Sequence, residues 1–232
     1  MGDEAVDPPV EPSVPPGVRA QLLATEHWGL LAARGTAQSE VLSRIGIFLT
    51  LVSAGLVSLA LVGQATGFSD AFIAFAIGVL AFIVLVGLLT QVRVINIGME
   101  DLMYVVAMNR LRGAYVELDP GVRRVLMSSP YDDFAGVQQT YYFFSPKRNL
   151  SQFLGSTMFF IILINTALLG LLGAAVTMVF TASLAAAASV GSSAAIVFFI
   201  LCFWLGNRHY RATLAAHQPV FPSPSSPSET PL

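Results

Sequence analysis

The stretch IGIFLTLVSAGLVSLALVG (residues 45–63), followed by QATGFSD (64–70) and AFIAFAIGVLAFIVLVGLL (71–89), decides the fold of this 232-residue chain. Each apolar run has 19 residues and no charge. That is close to the roughly 20 residues with which an α-helix, rising about 1.5 Å per residue, crosses about 30 Å of hydrocarbon. The short polar connection makes the pair a membrane hairpin. Residues 158–180 and about 187–205 repeat the pattern, joined by residues 181–186.

The basic residues orient these four spans. Arg19, Arg34 and Arg44 precede the first run; Arg93, Arg110, Arg112, Arg123, Arg124, Lys147 and Arg148 lie between the second and third; Arg208 and Arg211 follow the fourth. Neither short connection carries Lys or Arg. Because basic flanks are retained on the cytoplasmic side, both termini and the central segment are expected there.

Composition agrees: 55% hydrophobic, 11% charged and a mean hydropathy of +0.70 are too apolar for a soluble domain, in which about a quarter of residues are charged. A net charge of −2 argues against nucleic acid as a partner, which calls for a concentrated basic surface. The single cysteine, Cys202, lies in the fourth run, so neither an intrachain disulfide nor a cysteine metal cluster is expected. Eleven of the twelve basic residues are Arg, a bias associated with GC-rich bacterial genomes.

Five segments follow. Residues 1–17 carry Asp3, Glu4, Asp7 and Glu11 with five prolines, and read as a disordered acidic tail without the apolar core of a signal peptide. Val6 stands where a myristoylation signal needs Ser or Thr. Residues 18–118 form the first hairpin with helical cytoplasmic extensions, 119–153 a cytoplasmic connector, 154–207 the second hairpin, and 208–232 a cytoplasmic Pro/Ser-rich tail. The extension before the first span has a weak apolar stripe, because His27 and Arg34 share the face of Leu23, Leu30, Ala37 and Val41. The extension after the second span should end at Asp119-Pro120-Gly121, a strong stop signal.

That second extension is too apolar to stand alone in water. Ten of the fifteen residues 94–108 are large and apolar, while Glu100 and Asp101 prevent their acting as a further span. Packing against residues 18–44 or 122–145 of the same chain would cover it, as would a subunit interface, and Leu102 and Val106 are therefore candidates for a cytoplasmic interface. The aromatic residues 141–144, followed by Lys147 and Arg148, read as an anchor in the lipid headgroup region.

Inside the spans, small residues recur every four positions: Ala74 and Gly78, Gly170 and Ala174, and Ala187, Gly191 and Ala195. Such spacing permits close helix packing, within one chain or in a homo-oligomer. Asn165 is the strongest polar group in any span, a candidate for an interhelical hydrogen bond or a polar membrane site. With no ionisable residue in the spans, an ion-coupled carrier has no proton relay. Asp132-Asp133 and Glu100-Asp101 lack the spacing of a metal site and read as solvated charge or helix caps. Neither a phosphate loop nor a nucleophile elbow is present, so no catalytic residue, cofactor or metal is expected, and the sequence names no protein partner.

The stretches 24–28 (ATEHW), 100–102 (EDL), 105–112 (VVAMNRLR) and Asp132-Asp133, ordered around a two-span hairpin, resemble a family of uncharacterised actinobacterial multi-span membrane proteins over about residues 18–137. The resemblance implies location and architecture. The membrane hairpin with flanking helices is also similar, in architecture alone, to SLATT-type effectors proposed to perforate membranes; the second hairpin departs from their two-span pattern. The expectation is an all-α integral protein of a bacterial plasma membrane, with four transmembrane helices in a lipid bilayer, acting as a self-associating structural or signalling scaffold. A passive channel or pore-forming effector is the alternative.

Overall fold

The computed structural model describes residues 14–142, 154–181 and 183–224, and their only regular structure is helical. Helix α1 covers Pro16–Thr66 and α2 covers Asp70–Leu118; α3 (Phe134–Tyr141), α4 (Thr157–Thr181) and α5 (Leu184–Ala216) follow. The chain is an all-α protein in which α1, α2, α4 and α5 are each long and apolar enough to cross a membrane. The first two spans and their extensions are continuous helices of 51 and 49 residues. Helix α1 opens on Pro16, a first-turn position whose missing N–H costs nothing. Helix α2 stops where Asp119-Pro120-Gly121 begins: the Asp119 carboxylate accepts the Gly121 N–H at 2.8 Å and starts a 3₁₀ turn, Pro120–Arg124.

The chain divides into two compact units that cut across the linear segments. One, of Ala33–Met103 and Phe144–Gln218, holds the spans. The other comprises Met1–Ala32, Tyr104–Phe143 and Pro219–Leu232.

In the spanning unit, α1 and α2 pair antiparallel. Arg34 grips Asp101 through two bonds of 2.6 and 3.1 Å, with Gln38 on the same carboxylate at 3.0 Å. Arg93 bridges Glu40 and Glu100, both at 2.8 Å. Further along, a Cβ added at Gly55 would collide with the Ile83 side chain, and one at Gly63 would come within 3.1 Å of Phe72. Arg34, which interrupts the apolar stripe of α1, is thus the group that meets the carboxylate interrupting that of α2. Ion pairs at this exposure contribute little each to stability, and their use is to fix register. The core beneath is apolar: Phe48 and Ile161 are fully buried, with Ile83, Val84 and Leu168 around them.

The α1–α2 turn places Gly67 and Phe68 in the left-handed region, at φ 61° and 57°. Phe68 tolerates this because its N–H donates to the Gly63 carbonyl at 3.0 Å and its ring packs edge-on against Phe72, 5.2 Å between centroids. Gly63 makes room for that ring: a Cβ there would approach it to 2.6 Å.

In the second hairpin α4 and α5 meet along the small residues picked out by their spacing. A Cβ on Gly170 would stand 3.1 Å from the Gly191 carbonyl and 3.2 Å from the Ala195 methyl; one on Gly191 would reach 2.5 Å from the Gly170 carbonyl and 3.0 Å from the Ala174 methyl. Ala187 is buried on the same helix. In lipid, where tails are as apolar as side chains, such backbone approach supplies packing that apolarity alone does not. Ala74 and Gly78 do not share this fate, for both are exposed and no atom lies within 4 Å of a Cβ built on Gly78.

Replacing Gly191 by Leu should wedge this hairpin open, at a cost of about 1–3 kcal/mol from overpacking. A lower melting temperature in detergent is expected for Gly191→Leu and little change for Phe198→Leu; coincident melting curves for the two would contradict the contact.

Candidate functional site

Two polar constellations stand out, one in each unit. In the spanning unit Asn165, on α4 and only 1% exposed, donates its amide to the Gly87 carbonyl at 2.9 Å and to Gln91 Oε1 at 2.8 Å. Gln91 in turn donates to Cys202 Sγ at 3.2 Å, so one chain of side chains links α4, α2 and α5. Gly87 is required for this approach: a Cβ would strike Asn165 Oδ1 and come within 2.9 Å of the Phe48 ring. Asn165 Oδ1 and the Thr166 hydroxyl have no partner among the described residues. Asn165 thus joins helices, as the sequence allowed, and Cys202 belongs to its network.

The second constellation lies in the other unit and was not foreseen. Asp132 and Asp133, read from the sequence as solvated charge or helix caps, bind the backbone of residues 220–223. Asp132 Oδ1 accepts the Phe221 N–H at 2.7 Å and Oδ2 accepts the Val220 N–H at 3.1 Å, while the Asp132 N–H donates to the Phe221 carbonyl at 3.1 Å. Asp133 Oδ2 accepts the Ser223 N–H at 2.6 Å and its Oδ1 accepts the Ser223 hydroxyl at 2.7 Å. Asp133 is also the N-cap of α3, taking the Gly136 N–H at 2.8 Å, so that part of the reading holds. Asp132 is fully buried.

The sequence on both sides explains the fit. Residues 219–224 read PVFPSP, and the three prolines leave N–H groups only at Val220, Phe221 and Ser223. Each of these donors ends on a carboxylate, and the prolines favour the extended backbone that presents them. The Phe221 ring rests over Gly113 of α2, where a Cβ would come within 2.7 Å of it.

The cradle is braced from beneath. Arg110 donates to Asp132 at 2.8 Å. Fully buried Asn109 donates to the Tyr131 carbonyl at 2.9 Å and accepts from Arg112 at 2.7 Å and Thr140 at 2.9 Å. Arg123 bonds the Tyr131 hydroxyl and lies 5.3 Å from the centre of its ring. Elsewhere in this unit Arg19 pairs with Glu117 at 3.2 Å, and His27 stacks on Tyr115. Burial, helped by the Arg112 charge, pushes the His27 pKa down, so the ring is neutral at neutral pH.

Electrostatics keep both carboxylates ionised. Burial pushes Asp132 upward, but the N–H groups of Phe221 and Val220 and the Arg110 guanidinium outweigh it and hold the group below the usual carboxylate range. For Asp133, burial and the neighbouring Asp132 charge raise the pKa, and bonds from Ser223 and the Gly136 N–H bring it below its ordinary value.

The two interface candidates fall in different units: Leu102, in the spanning unit, is 4% exposed, and Val106, in the other, is half-buried. From residue 143 the aromatic and basic stretch read as a headgroup anchor lies outside the described residues. Among the described residues no group of three or more His, Cys, Asp or Glu side chains is placed to hold a metal ion.

A carboxylate with a depressed folded-state pKa contributes stability above its unfolded value, and loses that contribution as pH falls through the lowered value. A fluorophore on Val220→Cys, in a Cys202→Ala background, should therefore report an unchanged docked segment from about pH 8 to about pH 5 and release below about pH 4. Release centred near neutrality would show that the carboxylates do not hold the segment. Compared with protein-family models, curated proteins and solved structures, the chain finds no match.

Proposed function

We propose that the chain is a multi-pass protein of a bacterial plasma membrane, with both termini and the central segment cytoplasmic, and that it works as a self-associating scaffold. The observation behind the scaffold reading is the second unit: residues too charged for lipid are built into a compact body with a buried polar cradle and exposed large side chains, among them Trp28 at 71% and Val125 at 77%. Exposed apolar groups outside lipid are suited to protein contact. Ala74 and Gly78, exposed on a span, offer a close-packing face to a second copy within the bilayer. The orientation rests on the basic residues, which flank the spans on one side only.

The channel alternative draws less support, because its strongest polar residue, Asn165, is buried in interhelical bonds. Its kinship to the actinobacterial family remains part of the same proposal and rests on the short stretches quoted above.

An alkaline phosphatase fused after His217 should be inactive and a green fluorescent fusion at the same point bright; the reverse pattern would overturn the topology. Cross-linking in native vesicles should give discrete oligomers, and purified protein in liposomes should leave ion permeability unchanged. Protein-dependent flux with no oligomer beyond the monomer would replace the scaffold by the pore.

A further inference from the structure

The docked segment of residues 220–223 is laid out like a ligand in a receptor. The segment supplies three N–H groups, the Ser223 hydroxyl, the Phe221 carbonyl and an aromatic ring, while the two carboxylates, the Asp132 N–H and the seat for the ring come from residues 109–136, so the two parties share no residue. Recognition is mostly through the main chain, as when extended peptides are captured along a strand, with two side chains adding specificity, the Phe221 ring over Gly113 and the Ser223 hydroxyl on Asp133. The acceptors on the receptor side include two ionised carboxylates side by side, which suit backbone N–H and hydroxyl donors and repel a phosphate or a chain-terminal carboxylate.

We propose that residues 109–136 form a binding site for an extended Val-Phe-Pro-Ser peptide, filled by the chain's own residues 220–223 and able to take the same segment from a second copy. This deepens the scaffold reading by naming a site through which one copy engages another. The second copy fits because it carries the identical segment, and exchange of an identical element is a low-cost route to association. Each exchange restores in one site the bonds broken in the other, so local concentration decides between the two. A tethered segment competes at an effective concentration in the millimolar range. Only His217 and Gln218 separate α5 from Pro219, and crowding of copies in a membrane raises the intermolecular term.

The test uses full-length protein in detergent and a labelled peptide of residues 217–225. The Phe221→Ala protein, with its own segment weakened and its receptor intact, should bind the peptide saturably. Wild type should bind at least about tenfold more weakly, because its tethered segment competes. A peptide carrying the same Phe-to-Ala change should not bind. Ser223→Ala protein serves as a second receptor should Phe221→Ala melt early, and it too should bind more tightly than wild type. Absence of saturable binding to either folded variant, or equal binding of the two peptides, overturns the proposal. Cross-linking of the wild type in vesicles is scored separately: oligomers without peptide binding remove this site alone, and peptide binding without oligomers removes the scaffold reading alone.

Discussion

Hydrocarbon offers no hydrogen-bond partner to a peptide group, and the rest of this molecule follows from that. Four segments satisfy their backbone internally as helices, and what remains to be settled is how apolar rods, gaining nothing from hiding apolar surface, choose their neighbours. Two answers coexist. Where α4 meets α5, glycine lets the backbones approach until a methyl group would not fit. Where α4 meets α2, a single amide reaches across, and Gly87 gives it space. Outside the hydrocarbon, charge takes over, and the α1–α2 register is read out by Arg34 with Asp101 and Arg93 with Glu40.

The spans were legible because their signal is local: nineteen uncharged apolar residues have few other uses in a protein. The end of α2 was legible for the same reason, since Asp-Pro-Gly acts on the backbone where it stands. Spacing also identified the small residues of α4 and α5, whose meaning depends only on helical period. It failed for Ala74 and Gly78, because period tells which residues share a face and not whether a neighbour occupies it.

The carboxylate cradle was illegible for the opposite reason. Its partners are separated by 88 to 90 positions, and no periodicity connects an Asp-Asp pair ahead of a short helix with a proline-rich segment. In a sequence, clustered prolines mark an extended or disordered segment, and here they also determine which amides remain to be bound. His27 and Arg34 were likewise read as blemishes on an apolar stripe. A stripe is scored against an imagined apolar partner, and the partner carries Tyr115 for one and Asp101 for the other.

The full burial of Asp132 has a consequence for biosynthesis. The ribosome makes this residue before α4 and α5, and makes the amides that cover it only after both. Until residues 220–223 emerge, these bonds to the carboxylate cannot form, so the unit outside the spans cannot complete this site while the second hairpin is still being inserted. Folding order is thereby tied to membrane insertion. A chain interrupted before residue 220 would carry the two neighbouring carboxylates without these amides.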